Sequence, residues 1–145
     1  MSEERLQRLI LEIRVLENSF NDVTNRQSAI TRAMLESQSA LEAIKNLSSD
    51  DASKTLVPLG AGIFMGTDVS LPSSLIVGIG ADVAIEKSTE STITYLEERS
   101  QELEKVGANI EAQRIELAKR INSSRNEANS IAARQQKSVA GQQKG

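Results

Sequence analysis

The sequence predicts a mainly helical α+β chain: a long antiparallel coiled coil with two central β-hairpins, which join those of other chains in an intersubunit β-barrel. Three observations predict it. Apolar residues recur at alternating steps of three and four from Leu6 to Ile44. A weaker seven-residue stripe runs from Leu96 to Ile131. Between them, 56–87 is rich in Val and Ile, broken by Gly and Pro, and nearly uncharged until its end.

Composition narrows the function. The 145 residues amount to a single domain, and they include no Cys and no His. That removes disulfides, thiolate nucleophiles, the usual zinc sites and any Ser-His-Asp triad. No loop has the alternating Asp/Asn spacing that calcium requires. The aromatics are only Phe20, Phe64 and Tyr95, which favours a linear core over a globular one. Seventeen basic and twenty acidic residues are interspersed, giving a net charge of −3, which argues against a nucleic-acid partner. No apolar run reaches the ~18 residues of a membrane span. The start, MSEERLQRL, lacks the apolar stretch of a signal peptide, so the expected location is cytoplasmic.

The first arm is a helix over 3–47. Its seam positions are Leu6, Leu9, Ile13, Leu16, Phe20, Val23, Gln27, Ile30, Met34, Ser37, Leu41 and Ile44. Ten of these twelve are apolar, which marks a sustained heptad. Ser2 supplies a cap, and Glu3 and Glu4 suit the positive end of the helix dipole. Ser48, Ser49, Asp50 and Asp51 supply the loop that ends it. Such a helix is roughly 65–70 Å long and cannot bury its seam alone.

The middle block, 55–87, reads as two tandem hairpins with strands at 55–59, 62–66, 75–79 and 83–87. Gly60 and Ala61 make the first tight connection, and Gly80, Ala81 and Asp82 the second. Thr67 to Ser74, with Pro72, links the hairpins. Pro58 within a strand signals an edge or a bulge, because proline cannot donate to a ladder. Small isolated hairpins are marginal and leave open edges. Copies from several chains joined edge to edge cure both faults, so an obligate oligomer is expected. The two GxG stretches, at Gly60 and Gly78, lack the third glycine of a dinucleotide site and read as turn or bulge glycines.

The second arm runs over 88–134, followed by a polar, frayed tail at 135–145. Its stripe is Leu96, Leu103, Ile110, Leu117, Ser124 and Ile131. Of the intervening positions, Ile93, Ser100, Gly107, Arg114, Ile121 and Ala128, only Ile93 and Ile121 are large and apolar, so this seam is weaker than the first. Setting Leu47 level with Glu90 puts Phe20 opposite Leu117 and Ser37 opposite Ser100. Gly107 then falls near Ile30, and Arg114 near Val23. The serine layer and Gly107 are weak points of the seam, where a bend of the arm is expected.

Apolar residues off the seam need another explanation. Those of the first arm are Ile10, Leu11, Val15, Leu35 and Leu47. The first three crowd the start of the arm and, with Leu6, Leu9 and Ile13, make an apolar cuff. Ile131 and Val139 reach the same end. Clustered exposed apolar surface marks an interaction site.

Val57-Pro58-Leu59-Gly60-Ala61-Gly62-Ile63-Phe64 resembles the signature of the prefoldin family's alpha-type subunits, in their archaeal form. So does Val77-Gly78-Ile79-Gly80-Ala81-Asp82-Val83 with Glu86 and Lys87. The resemblance covers nearly the whole chain, and two hairpins point to alpha, since the beta type has one. It implies a hexamer of two alpha and four beta subunits. It further implies a double-barrel platform built from Val57, Leu59, Ile63, Phe64, Ile76, Val77, Ile79, Val83 and Ile85. Leu6, Leu9, Ile10, Leu11, Ile13 and Val15, with Ile131 opposite, would form a tip that holds non-native polypeptides without ATP and passes them to a group II chaperonin. The tail after Ile131 has few apolar residues, so the second helix is expected to add little to client capture. No cofactor, nucleic acid or membrane enters this reading. Two rivals remain: a coiled-coil adaptor for one folded partner, and an enzyme using carboxylates or the glycine turns.

Overall fold

A computed structural model describes residues 2–47 and 51–145. The expected loop residues Ser48, Ser49 and Asp50 lie outside them. In chain order the elements are α1 (Ser2–Asn46), β1 (Ser53–Gly60), β2 (Ile63–Val69), β3 (Ser74–Gly80), β4 (Val83–Ser88) and α2 (Thr89–Gln142). The predicted class holds: two long helices and two small antiparallel hairpins, with helix predominating. The chain divides into two units, residues 1–31 with 106–145, and residues 32–105.

In the first unit the start of α1 runs antiparallel to the end of α2. Charged pairs across the seam fix that direction: Arg5 with Glu127, Glu12 with Arg120, and Glu17 with Arg125. Leu9, Leu16, Val23, Ile110 and Ile121 form its buried core, and Ser124 is buried among the seam positions. The core is linear because the apolar residues repeat every three or four positions and present one stripe. A polar layer interrupts it. Gln27 Nε2 donates to Glu111 Oε2, and Arg114 donates to both oxygens of the same carboxylate at 3.0 and 2.8 Å. Polar groups at such seam positions penalise a slip of one heptad, which would leave them unpaired.

In the second unit the rest of α1 and the start of α2 accompany the hairpins. Every predicted seam position of both helices is buried or half-buried along their full length. Lys45 reaches Glu97 at 3.5 Å. β1 pairs with β2 and β3 with β4, as two separate two-stranded sheets. Each strand therefore has an unpaired edge within the chain.

The hairpins are longer than the sequence suggested, and one turn is shifted. The first turn is Ala61-Gly62, both at positive φ (51° and 77°), with Gly60 closing the ladder opposite Ile63. The expectation of Gly60-Ala61 missed by one residue because the register shifts between Pro58 and Gly60. That irregularity falls beside the proline, which cannot serve the ladder. The second turn is Ala81-Asp82 (φ 51° and 58°), with a matching shift between Gly78 and Gly80. Positive φ at both central residues is the type I′ pattern, whose twist matches that of the strands.

α2 starts where the sequence placed it. Ser88 is the cap: its Oγ accepts from the Ser91 N–H at 3.1 Å. Thr89 ties this start to the inter-hairpin linker, its N–H donating to Ser73 O at 3.0 Å and its Oγ1 to Pro72 O at 2.6 Å. At the other end the frayed tail is corrected, because α2 continues to Gln142. The tail is polar, but Ala, Arg, Gln and Lys are good helix formers and no proline intervenes.

Candidate functional site

Among the described residues, exposed apolar side chains gather on two surfaces, and the off-seam Leu35 is exposed apart from both, at 63%. The first surface is the hairpin pair. Cross-strand partners share a face, so Val57 stands beside Met65, Pro58 beside Phe64, and Val77 beside Ile85. Of the nine barrel residues named from the sequence, Val57 and Val77 are half-buried by the chain itself. Leu59, Ile63, Phe64, Ile76, Ile79, Val83 and Ile85 are exposed, Ile76 at 80%. Leu56 and Met65 are exposed as well and escaped the sequence reading. Strand periodicity could have found Leu56, since it alternates with Val57 and must face the other side. The tip of β3 also borders an open groove against the helices, lined by Ala40, Val77, Ile79, Tyr95 and Leu96. Lys87 Nζ lies 4.7 Å from the centre of the Tyr95 ring, a cation–π contact that steadies β4 on α2.

The second surface is the open end of the first unit, where α1 starts and α2 finishes. Ile10, Leu11 and Val15 are exposed there, at 48%, 61% and 63%. Leu6, Ile13 and Ile131 are half-buried at the margin of the seam. Leu9 is corrected: at 1% exposure it is the most deeply buried side chain among the described residues. It occupies a seam position and packs between the helices, so it supports the surface without belonging to it. Val139 is exposed on the extended α2 and lines a groove with Ile131, Arg134 and Ser138. Val106 and Ile115 are further exposed apolars of α2 that the sequence reading passed over.

Charged contacts hold this end together. Arg5 Nε and Nη2 donate to the two oxygens of Glu127 at 2.8 and 3.1 Å. The hydrogen bond from Arg5 holds the Glu127 carboxyl below its usual range, and the same contact raises Arg5. In the polar layer, hydrogen bonds from Arg114 and then Gln27 lower Glu111. These are exposed or half-exposed pairs that orient helices and add little stability each. Among the described residues no cluster of His, Cys, Asp and Glu is placed to hold a metal ion. Among them, too, no helix is long and apolar enough to cross a membrane.

A family profile described as prefoldin subunit matches residues 16–134. The chain is similar to the prefoldin subunit alpha of Nitrosopumilus maritimus, at 36% identity over 95% of each chain. It is also similar to the prefoldin subunit alpha of Pyrococcus horikoshii, at 29% identity over 83% of this chain and 82% of that one. Among solved structures, a chain of the filamentous PFD from Methanocaldococcus jannaschii is similar at 19% identity with a TM-score of 0.47, over 86% of this chain and 98% of that one.

Proposed function

We propose a function from one premise: the chain belongs to the prefoldin family of chaperones, and its archaeal curated relatives are alpha subunits. On this reading it is an ATP-independent holdase subunit. Its hairpins close a β-barrel with those of beta subunits, two alpha chains with four beta. The open ends of the coiled coils hold non-native polypeptides in the cytoplasm and pass them to a group II chaperonin. Neither nucleic acid nor membrane takes part.

The observation that carries the client-holding part is the exposure of Ile10, Leu11 and Val15, which lie off the seam. A spacer helix has no use for three large apolar side chains in water, whereas unfolded chains expose segments that would cover them. Each contact is weak. Several such ends gripping one client raise avidity by orders of magnitude, and release needs no fuel because each grip reverses independently. No bond is made or broken, so the proposed action needs no catalytic residue.

The barrel part follows from the hairpins. Exposed apolar strands with free edges aggregate unless they are paired or covered. Edge-to-edge pairing with neighbouring subunits supplies both, and Leu59, Ile63, Phe64, Ile76 and Ile79 would face its interior or the packed layer beneath. Leu56 and Met65 join Val57, Val77, Val83 and Ile85 as candidates for the same interface.

The test is aggregation of a chemically unfolded client with and without the assembled complex. The double variant Ile10→Ser, Leu11→Ser is expected to keep its helicity and to lose suppression by roughly severalfold. Unchanged suppression would favour the adaptor reading, in which the coil binds one folded partner.

A further inference from the structure

We infer that the open end of the coiled coil favours unfolded segments carrying acidic residues beside their apolar ones. This rests on the client-holding reading above and names the class of segment it takes. The observation is an uneven charge distribution. Residues 1–31 with 106–145 hold eleven Lys and Arg against eight Asp and Glu, a net +3. Residues 32–105 hold six against twelve, a net −6. The chain's overall −3 conceals two regions of opposite sign.

Within the positive unit, four basic residues are neutralised by contacts already described: Arg5 by Glu127, Arg120 by Glu12, Arg125 by Glu17 and Arg114 by Glu111. The excess is concentrated at the open end. Residues 128–145 contain Arg134, Lys137 and Lys144 and no Asp or Glu. Arg134 lines the groove that holds Ile131 and Val139, together with Ser2 and Glu3. Arg14 lines a second groove with Ile10 and Ile13, where Glu17 and Arg125 are already paired with each other. Arg14, Arg134 and Lys137 are exposed, and no carboxylate partner is found for them among the described residues.

Helix chemistry does not account for these cations. Basic residues compensate the dipole within the last turn, and the last turn of α2 has none. What Arg14 and Arg134 share is position beside the apolar residues of the open end. Screening confines their influence to roughly 8 Å at physiological salt, so they act on charges of a segment already in contact. A segment with Asp or Glu flanking its apolar residues gains ion pairs there. One flanked by Lys or Arg meets like charge, which discriminates by repulsion as much as by attraction.

The experiment uses the assembled complex and three fluorescently labelled peptides with one apolar centre and flanks of Glu, Gln or Lys, read by anisotropy. Binding is expected in the order Glu, Gln, Lys, with the extremes separated on the order of tenfold at low salt. The variant Arg14→Gln, Arg134→Gln, Lys137→Gln should bring the Glu-flanked peptide towards the Gln-flanked one, as should added salt, while circular dichroism stays unchanged. Equal binding of all three peptides overturns the inference and leaves the holdase reading standing. Failure to bind any of them overturns both. A single-stranded oligothymidylate of matching charge that binds as tightly as the Glu-flanked peptide also overturns it, because the cations would then serve anions in general.

Discussion

Gly107 of α2 faces Ile30 of α1 so closely that a methyl group on Gly107 would stand 3.5 Å from Ile30 Cγ2. That is ordinary van der Waals contact, and the position is half-buried in the seam. An alanine fits without displacing anything and removes the backbone freedom that makes glycine a poor helix former. Gly107→Ala is therefore expected to stabilise the coil by about 1 kcal/mol, seen as a higher thermal midpoint. A lower midpoint would mean that the seam needs the glycine for a closer approach than this one.

Leu9 and Leu11 are two residues apart and opposite in consequence. Leu9 is 1% exposed and Leu11 61%. Leu9→Ala should cost about 2–5 kcal/mol, through lost burial and the cavity left between the helices. Leu11→Ala should change stability by no more than about 0.5 kcal/mol. Thermal melts of the assembled complex read the first effect, and client-aggregation assays read the loss expected from the second.

This pair also marks how far the sequence could be read. Heptad spacing identified the seam, and even the level of Gly107 with Ile30 followed from setting Leu47 level with Glu90. The apolar cuff was drawn too broadly, because hydrophobicity does not distinguish a residue that packs from one that faces water. Seam position does, and it places Leu9 inside and Ile10, Leu11 and Val15 outside. The polar layer was only half legible. Gln27 and Arg114 stood out as breaks in the seam, but their sharing of the Glu111 carboxylate depends on side-chain conformation. The first turn was misplaced because the register shift beside Pro58 takes up an extra residue, which composition does not reveal. The tail was misjudged because polarity was read as fraying when helix propensity was still favourable.

The two type I′ turns make a directional prediction. Gly62 has φ 77° and Asp82 φ 58°, both in the left-handed region. Gly62→Val would place a β-branched residue there and should destabilise the first hairpin by about 1–2 kcal/mol. Asp82→Gly relieves the same strain in the second and should stabilise it slightly. Both residues are exposed, so packing within the chain is not disturbed. Sedimentation with cognate partner subunits checks this. If the hairpins assemble the particle, Gly62→Val weakens assembly while the helical signal is retained.

Acid sensitivity follows from Glu127. Hydrogen bonding from Arg5 lowers its folded-state pKa below the ordinary glutamate value of 4.5. A carboxylate lowered on folding contributes stability that is fully present above its unfolded value and disappears as pH falls through its folded value. Wild type should therefore be slightly more stable than Glu127→Gln near neutrality, and the two should converge in acid, below 4.5. Glu111, lowered by Arg114 and Gln27, adds a contribution of the same sign. Both groups are accessible to solvent, so the effect is small and salt weakens it. The measurement is thermal unfolding of both proteins across the acid range at low and high salt. A gap between them that widened as pH fell would show that the Arg5 contact does not favour the charged carboxylate.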